Sequence, residues 1–351
     1  MSAIRSLKVV RDSSVKDANP LLDLGLDKTG RGIILVVGDG DLSYAATLMR
    51  HVSESGMSEI RVLGTTLEGR DELFAEYPFA AQNVETLQEY ARHEFDATKM
   101  DILLANEFEG ADILRIVWNF PHYSMPVPEG DSKVKRSRKR NFIHKHRELL
   151  ESFFASASKL IAQRPDADTR LYVTLCGGQG GTPLDPEPHR VYGDTWQVVD
   201  LAARSGFTLR DVFSSDDACA NLARVGYKQK GYRQGDRSFS IKNPVTHVFG
   251  KPKPNGGAKA AWAVCWRHDI AFWINPETFS QARFEEILAE TAGGDIDIVV
   301  GLLDQYTSKE GKQARTFSMA MSSRTVAFSK WDARDLALSI RDAIDGYVDL
   351  R

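Results

Sequence analysis

The chain has 351 residues, 42% of them hydrophobic and 26% charged, with a net charge of −3. That length suits two domains with a sizeable core, and no apolar stretch approaches the roughly 18–20 residues of a membrane span. The near-balanced charge excludes a global basic field, so any nucleic-acid affinity has to come from local patches. The cysteines, Cys176, Cys219 and Cys265, are odd in number and far apart, which argues against a disulfide framework or a metal cluster and fits a reducing compartment.

In chain order, residues 1–31 show little pattern. Arg5, Lys8 and Arg11 precede the first acids, Asp12 and Asp17, so the start reads as a frayed terminus or a weak, interrupted presequence. Ile33–Val37 is the first strand and runs into the turn Gly38-Asp39-Gly40. A helix follows to about Ser55 and ends at Gly56. Ile60–Thr65 is a second strand. Glu68–Tyr77 and Ala80–Tyr90 are helical, divided by Pro78. His93–Ala97 is a short third strand, Lys99–Phe108 a helix and Ile113–Trp118 a fourth strand. Asn119–Arg140 carries three prolines and a basic run and reads as a loop. Phe142–Ala162 has apolar residues at helical spacing, Leu171–Leu175 is a fifth strand, and Trp196–Arg204 is a helix. Phe207–Phe213 and Phe239–Phe249 are late strands without a crossover helix, hence an antiparallel pair at one edge.

Strands alternating with helices predict an α/β doubly wound sheet of about seven strands. Residues 32–250 form this unit, and 251–260 are a Gly/Pro/Lys linker. Residues 261–351 change character to β-α-β-β-α-β, an α+β ferredoxin-like pattern. Its alternating strand Gln313–Ser322 places Phe317, Met319 and Met321 on one face.

Three constellations suggest chemistry. Gly38-Asp39-Gly40 follows a strand and opens a helix, but Ser43 stands where a dinucleotide fold has its third glycine. S-adenosylmethionine has no phosphates and needs only the turn plus carboxylates, for which Asp39, Asp41, Glu68 and Asp96 are available. Asp41 is equally suited to cap the helix. Trp118-Asn119-Phe120-Pro121-His122 ends the fourth strand beside that loop. Asn119 offers an amide to a planar base, and His122 a proton acceptor for a ring N–H. The run Lys133, Lys135, Arg136, Arg138, Lys139, Arg140 follows with no acid among it. Such a run suits a phosphate backbone, a nuclear-import signal or a solvated loop. A second glycine-rich stretch, Cys176–Pro183, is not a P-loop; its glycines permit close approach of a ligand.

Gly38–Ser43, Asp96-Ala97-Thr98, Trp118–His122 and the helix Asn141–Leu160 together resemble the eukaryotic 25S-type ribosomal RNA uridine-N3 methyltransferases. Leu175–Pro183 and Asp194–Gln197 resemble the branch of that family fused to a ferredoxin-fold anticodon-binding domain. Arg267–Trp273, Leu302–Tyr306 and Arg324-Thr325 are similar to the C-terminal anticodon-binding domain of phenylalanyl-tRNA synthetases. The family usually has Glu and Phe where this chain has Asp39 and Leu42, and its second turn is shorter and contains lysine.

The resemblance implies a class I methyltransferase fold that binds S-adenosylmethionine at Gly38, Asp39, Gly40, Asp41, Ser43, Glu68 and Asp96, with a target base near Asn119 and His122. It implies an RNA partner, rRNA or tRNA, held by the basic run and by Arg315 and Arg324 on the small C-terminal sheet. No membrane partner and no metal are expected. The basic run fits the nucleus or nucleolus, the Arg-containing start a mitochondrion, the tRNA-type domain the cytoplasm. A catalytically silent RNA-binding or ribosome-assembly protein on the same scaffold is the alternative. An NAD-dependent oxidoreductase is disfavoured by the incomplete glycine pattern.

Overall fold

The computed structural model describes residues 20–26, 30–104, 111–123, 132–164, 167–215, 222–227, 242–252 and 259–350, with backbone only for Pro20, Leu22 and 132–140. Residues 1–19, 27–29, 105–108, 124–131, 239–241 and 253–258, together with Cys219, on which expectations above fall, lie outside the described residues.

A seven-stranded sheet has the order β3-β2-β1-β4-β5-β7-β6. Its strands are β1 (Gly32–Val37), β2 (Ile60–Thr65), β3 (Ala91–Arg92), β4 (Ile113–Asn119), β5 (Arg170–Leu175), β6 (Thr208–Ser214) and β7 (Val245–Gly250). β1 pairs in parallel with β2 and β4, and β4 with β5, whereas β7 runs antiparallel to both neighbours. The antiparallel pair lies at one edge of the sheet as expected, with β7 between β5 and β6 and β6 outermost. All six β7 residues are buried, which an edge strand would not require. The third strand is also earlier and shorter than its sequence suggests.

β1 is central because both of its faces are apolar. Ile33, Leu35 and Val37 join one core layer, which holds Phe153 and Phe154; Ile34 and Val36 join the other, with Leu48 and Leu73. The helices are α1 (Pro20–Asp23), α2 (Ser43–Glu54), α3 (Arg70–Glu76), α4 (Ala80–Leu87), α5 (Met100–Leu103), α6 (Ser132–Ala162) and α7 (Val198–Arg204). The basic run Lys133–Arg140, read above as loop, is the start of the 31-residue α6. Lys and Arg are good helix formers, and no Gly or Pro interrupts the stretch from Ser132 onward.

Gly64 on β2 supplies the close helix–strand approach that Ser43 does not: a Cβ there would meet Ala45 Cβ at 2.7 Å and Leu87 Cδ1 at 2.9 Å. Arg115, buried inside β4, donates from Nε to Leu24 O and from Nη2 to Gly25 O, so it fastens the α1 segment beneath the sheet.

The second sheet has the order β11-β8-β10-β9, from β8 (Trp266–Ile274), β9 (Asp297–Thr307), β10 (Gln313–Ser322) and β11 (Asp349–Leu350). α8 (Gln281–Ala292) and α9 (Lys330–Ile344) pack on it over Ile270, Phe272, Phe317, Met319 and Met321, the face the alternation predicts. α9 begins with a capping box between Ser329 and Asp332, a feature worth about 1 kcal/mol. The two sheets touch. Lys330 N donates to Asp200 Oδ1 at 2.7 Å, Trp266 meets Tyr192 edge-on, and Ala261 N donates to Leu209 O.

Candidate active site

The parallel strands end along one edge. The β1–β4 register sets Val37 against Trp118, so Gly38 lies beside Asn119. Gly38 has φ +60°, a conformation glycine adopts without Cβ strain; a Cβ would also meet Trp118 Nε1 at 3.0 Å. Gly38 N donates to Thr65 Oγ1 and Asp39 N to Thr65 O, which ties the turn to β2. Gly40 is exposed, and the nearest atom to a Cβ there would be Tyr77 Oη at 3.8 Å.

The two loop acids point to different tasks. Asp39 Oδ2 accepts from Ala45 N at 2.7 Å, so Asp39 caps α2 from within the protein. Burial, with the Asp41 charge adding to it, raises the Asp39 pKa from 3.8 to about 7 against the pull of these amides. Asp41 Oδ1 accepts from Ser43 N at 3.0 Å, while Asp41 Oδ2 is buried with no partner. The capping expected of Asp41 is therefore shared between Asp39 and one oxygen of Asp41. Among the described residues, the Gly40 and Asp41 N–H groups have no acceptor. Ser43 enters α2 as its first residue and contributes its carbonyl to Thr47 Oγ1.

Glu68 follows β2; its carbonyl is taken by Thr66 Oγ1 and Glu94 N, and its half-buried carboxylate has no partner among the described residues. Asp96 is different. Oδ1 accepts from Thr98 N and Oγ1, and Oδ2 pairs with Lys99 at 3.2 Å. Burial would raise its pKa, but these bonds outweigh it and hold the carboxyl below the usual range. Asp96 is thus the cap of the turn Ala97–Lys99, with both oxygens engaged.

At the end of β4, Asn119 Oδ1 accepts from Thr174 Oγ1 at 2.9 Å. Phe120 turns at φ +53°, its N–H donating to Thr174 O, and Pro121 is buried. His122 is exposed, with its ring 5.5 Å from that of His146; surrounding protein lowers its pKa below 6.5, so it is neutral at pH 7. His146, which sequence reasoning missed, holds this turn. Its Nε2 accepts from Tyr123 N, Nδ1 faces Phe142 O, and the ring stacks on Trp196 at 4.2 Å. Burial lowers its pKa to about 4. Its place in α6, four residues after Phe142, was the only signal in the sequence.

The second glycine-rich stretch is closed on the protein's own residues. Asp185 is buried and accepts from Gly178 N, Gly181 N and Thr182 N at 2.9, 2.7 and 3.2 Å. A Cβ at Gly180 would lie 2.5 Å from His247 Nε2, and one at Gly177 2.8 Å from Pro186 Cγ. The close approach is made by the protein's own residues. Burial also raises the Cys176 thiol, which disfavours the nucleophilic thiolate.

The RNA-facing set is only partly placed. Lys133, Lys135, Arg136, Arg138, Lys139 and Arg140 follow the Asn119–His122 turn on α6, and their side chains lie outside the described residues. Arg315 pairs with Phe272, a core position, and sits 5.0 Å over the Phe279 ring on the helix side of the small sheet, not on its open face. Arg324 donates from Nε and Nη2 to Ala260 O and Ala261 O, so it pins the chain entering the second sheet. The open face carries Trp273 against Tyr306, with Arg267 beside Asp269 and Asp304 nearby, so it is aromatic and of mixed charge. The resemblance implies both arginines as phosphate contacts; the alternation of Phe317, Met319 and Met321 instead puts Arg315 on their face, and Arg324 lies beyond the strand.

The model of the BMT5-like family, rRNA (uridine-N3-)-methyltransferase BTM5-like, matches residues 35–218. The chain belongs to this family. The match begins in β1 and ends just past β6, so it spans both the open loop and the Asn119–His122 turn. The mouse protein "ferredoxin-fold anticodon-binding domain-containing protein 1 homolog" is 34% identical over 226 residues, 63% of this chain and 31% of its own length. The human protein of the same name is 33% identical over 230 residues, 64% of this chain and 32% of its own. The chain therefore spans about a third of the length of these relatives. A Listeria monocytogenes protein assigned to the class I S-adenosylmethionine-dependent methyltransferases overlays at TM-score 0.37 and 10% identity, over 67% of this chain and 58% of that one. That overlap is too slight to add to the strand order. The family and the doubly wound sheet together give this chain a class I methyltransferase fold with a C-terminal α+β sheet.

Proposed function

We propose that this BMT5-like chain transfers a methyl group from S-adenosylmethionine to a ring nitrogen of an RNA base, of the uridine-N3 type, in rRNA or tRNA. The observation that carries this reading is the open first loop: a buried, unpartnered Asp41 Oδ2 and free N–H groups, one strand away from the Asn119–His122 turn. A carboxylate oxygen without a donor suits the ammonium of the cofactor's amino-acid end. Glu68 suits the ribose hydroxyls. The cofactor supplies the electrophilic methyl group.

The chain's own residues do the rest. Asn119 orients the base through its amide, and His122, neutral at pH 7, accepts the ring N–H proton. The basic start of α6 supports binding of the phosphate backbone. The ferredoxin-like sheet supports a tRNA-like partner by its aromatic open face rather than by Arg315 or Arg324. Asp96 favours the second reading, a silent RNA-binding or ribosome-assembly scaffold, because both of its oxygens are spent inside the protein.

The test is transfer of labelled methyl from S-adenosylmethionine to total cellular RNA, followed by nucleoside analysis. Label in 3-methyluridine is expected. RNA binding without transfer to any nucleoside makes the scaffold the right reading.

A further inference from the structure

Outside the residues assigned above lies a file of buried hydroxyls. Ser215 Oγ is 2.6 Å from Thr246 Oγ1, Thr246 Oγ1 is 2.9 Å from Thr174 Oγ1, and Thr174 Oγ1 donates at 2.9 Å to Asn119 Oδ1. Ser215, Thr246 and Thr174 are 3%, 5% and 6% exposed. They come from neighbouring strands: the residue after β6, then β7 and β5. The β5–β7 register pairs Thr174 with Thr246 directly, and the β4–β5 register pairs Asn119 with Thr174. The file therefore crosses the sheet in one straight line and stops at the target-side turn.

A hydroxyl has one proton to donate. With Thr174 donating to Asn119, Thr246 is left to donate to Thr174 and Ser215 to Thr246, so each hydroxyl donates once along the file. The Asn119 oxygen is thereby held against β5. Its Nδ2 is not among the buried unsatisfied atoms and has no partner among the described residues, so its two N–H groups are free to donate. An amide held this way offers donors only. A uridine N3 is flanked by two carbonyl oxygens, which accept; an exocyclic amino group would meet N–H against N–H.

We infer that Thr174 is a positioning residue: its hydroxyl, oriented by Thr246 and Ser215, fixes the Asn119 amide so that the site takes a carbonyl-flanked ring nitrogen. This rests on the function proposed above. The experiment is methyl transfer to a uridine-containing RNA by the wild type, Thr174→Val, Thr174→Ser, Asn119→Ala and the Thr174→Val/Asn119→Ala pair, with an unfolding midpoint for each. Thr174→Val is expected to lower kcat about 10- to 100-fold with KM little changed, as a misaligned base would. Thr174→Ser restores most of the rate, and the double variant is no slower than Asn119→Ala. A purely structural role would instead make the two losses multiply. Asn119→Asp leaves the buried file intact and presents an acceptor; it is expected to shift product from uridine towards amino-bearing bases. Overturning results are Thr174→Val within twofold of wild type or multiplying losses. If Thr174→Val does not fold, an unchanged product ratio in Asn119→Asp overturns the inference. A wild type that transfers no methyl group overturns the proposed function and this inference together.

Discussion

Two glycine-rich loops stand at the same edge of the sheet and do opposite things. The loop after β1 leaves Asp41 Oδ2 without a donor and, among the described residues, the Gly40 and Asp41 N–H groups without acceptors, and a Cβ at Gly40 would meet nothing closer than Tyr77 Oη at 3.8 Å. The loop after β5 folds its N–H groups onto its own Asp185 and packs its glycines on His247 and Pro186. Glycine permits close approach in both. What separates a ligand floor from a structural knot is whether the chain already supplies the partner.

The largest effect is expected in the closed loop. Asp185→Ala leaves three inward N–H groups unpaired and should cost about 3 kcal/mol or more in a urea titration, with cofactor affinity unchanged where the protein folds. An unaltered midpoint would remove the distinction between the loops.

The loops should also respond to pH with opposite sign. Burial lowers His247, behind the closed loop, to about 4. The unfolded chain binds its proton more readily below pH 6.5, so stability falls by roughly 2–3 kcal/mol as pH drops from 6.5 to 4. Asp39, under the open loop, is raised to about 7. Here the folded chain holds the proton, so this contribution is present below the unfolded pKa of 3.8 and is lost as pH rises through 7. Asp39→Asn should therefore stabilise the protein at pH 8 by about 1–2 kcal/mol, allowing for its partial contact with water, and do nothing at pH 3. Stability-versus-pH curves of Asp39→Asn and His247→Gln separate the two terms, and curves that parallel the wild type would refute both.

Within the open loop, Gly38→Ala should cost about 1–2 kcal/mol, since it combines a positive φ with contact on Trp118. Gly40→Ala meets nothing closer than 3.8 Å and should leave the midpoint alone while it weakens cofactor binding. The smallest effect is at Arg324. Its Ala substitution should loosen the entry to the second sheet by less than about 1 kcal/mol and leave RNA affinity within twofold.

Much of this was legible in advance. β-branched runs and turn residues located the strands, and the alternation of Phe317, Met319 and Met321 gave the buried face of the small sheet. Long-range partners were not legible. Nothing local to Asp96 says that Thr98 and Lys99 take both of its oxygens in preference to a ligand. Nothing in Cys176–Pro183 says that Asp185 fills the loop. The resemblance offers Arg315 and Arg324 as phosphate contacts, and the sequence does not show the Phe279 ring or the Ala260 and Ala261 carbonyls that they meet. The basic run misled differently: composition argued for a loop, where helix propensity prevailed.

The central claim is that the first loop is open for S-adenosylmethionine. Calorimetric titration of the wild type and of Gly40→Arg with S-adenosylmethionine tests it most directly. The account predicts saturable binding by the wild type, and its loss in Gly40→Arg at an unchanged unfolding midpoint, because the new side chain fills the open turn. Equal binding by both proteins, or no binding by the wild type at millimolar cofactor, would contradict it.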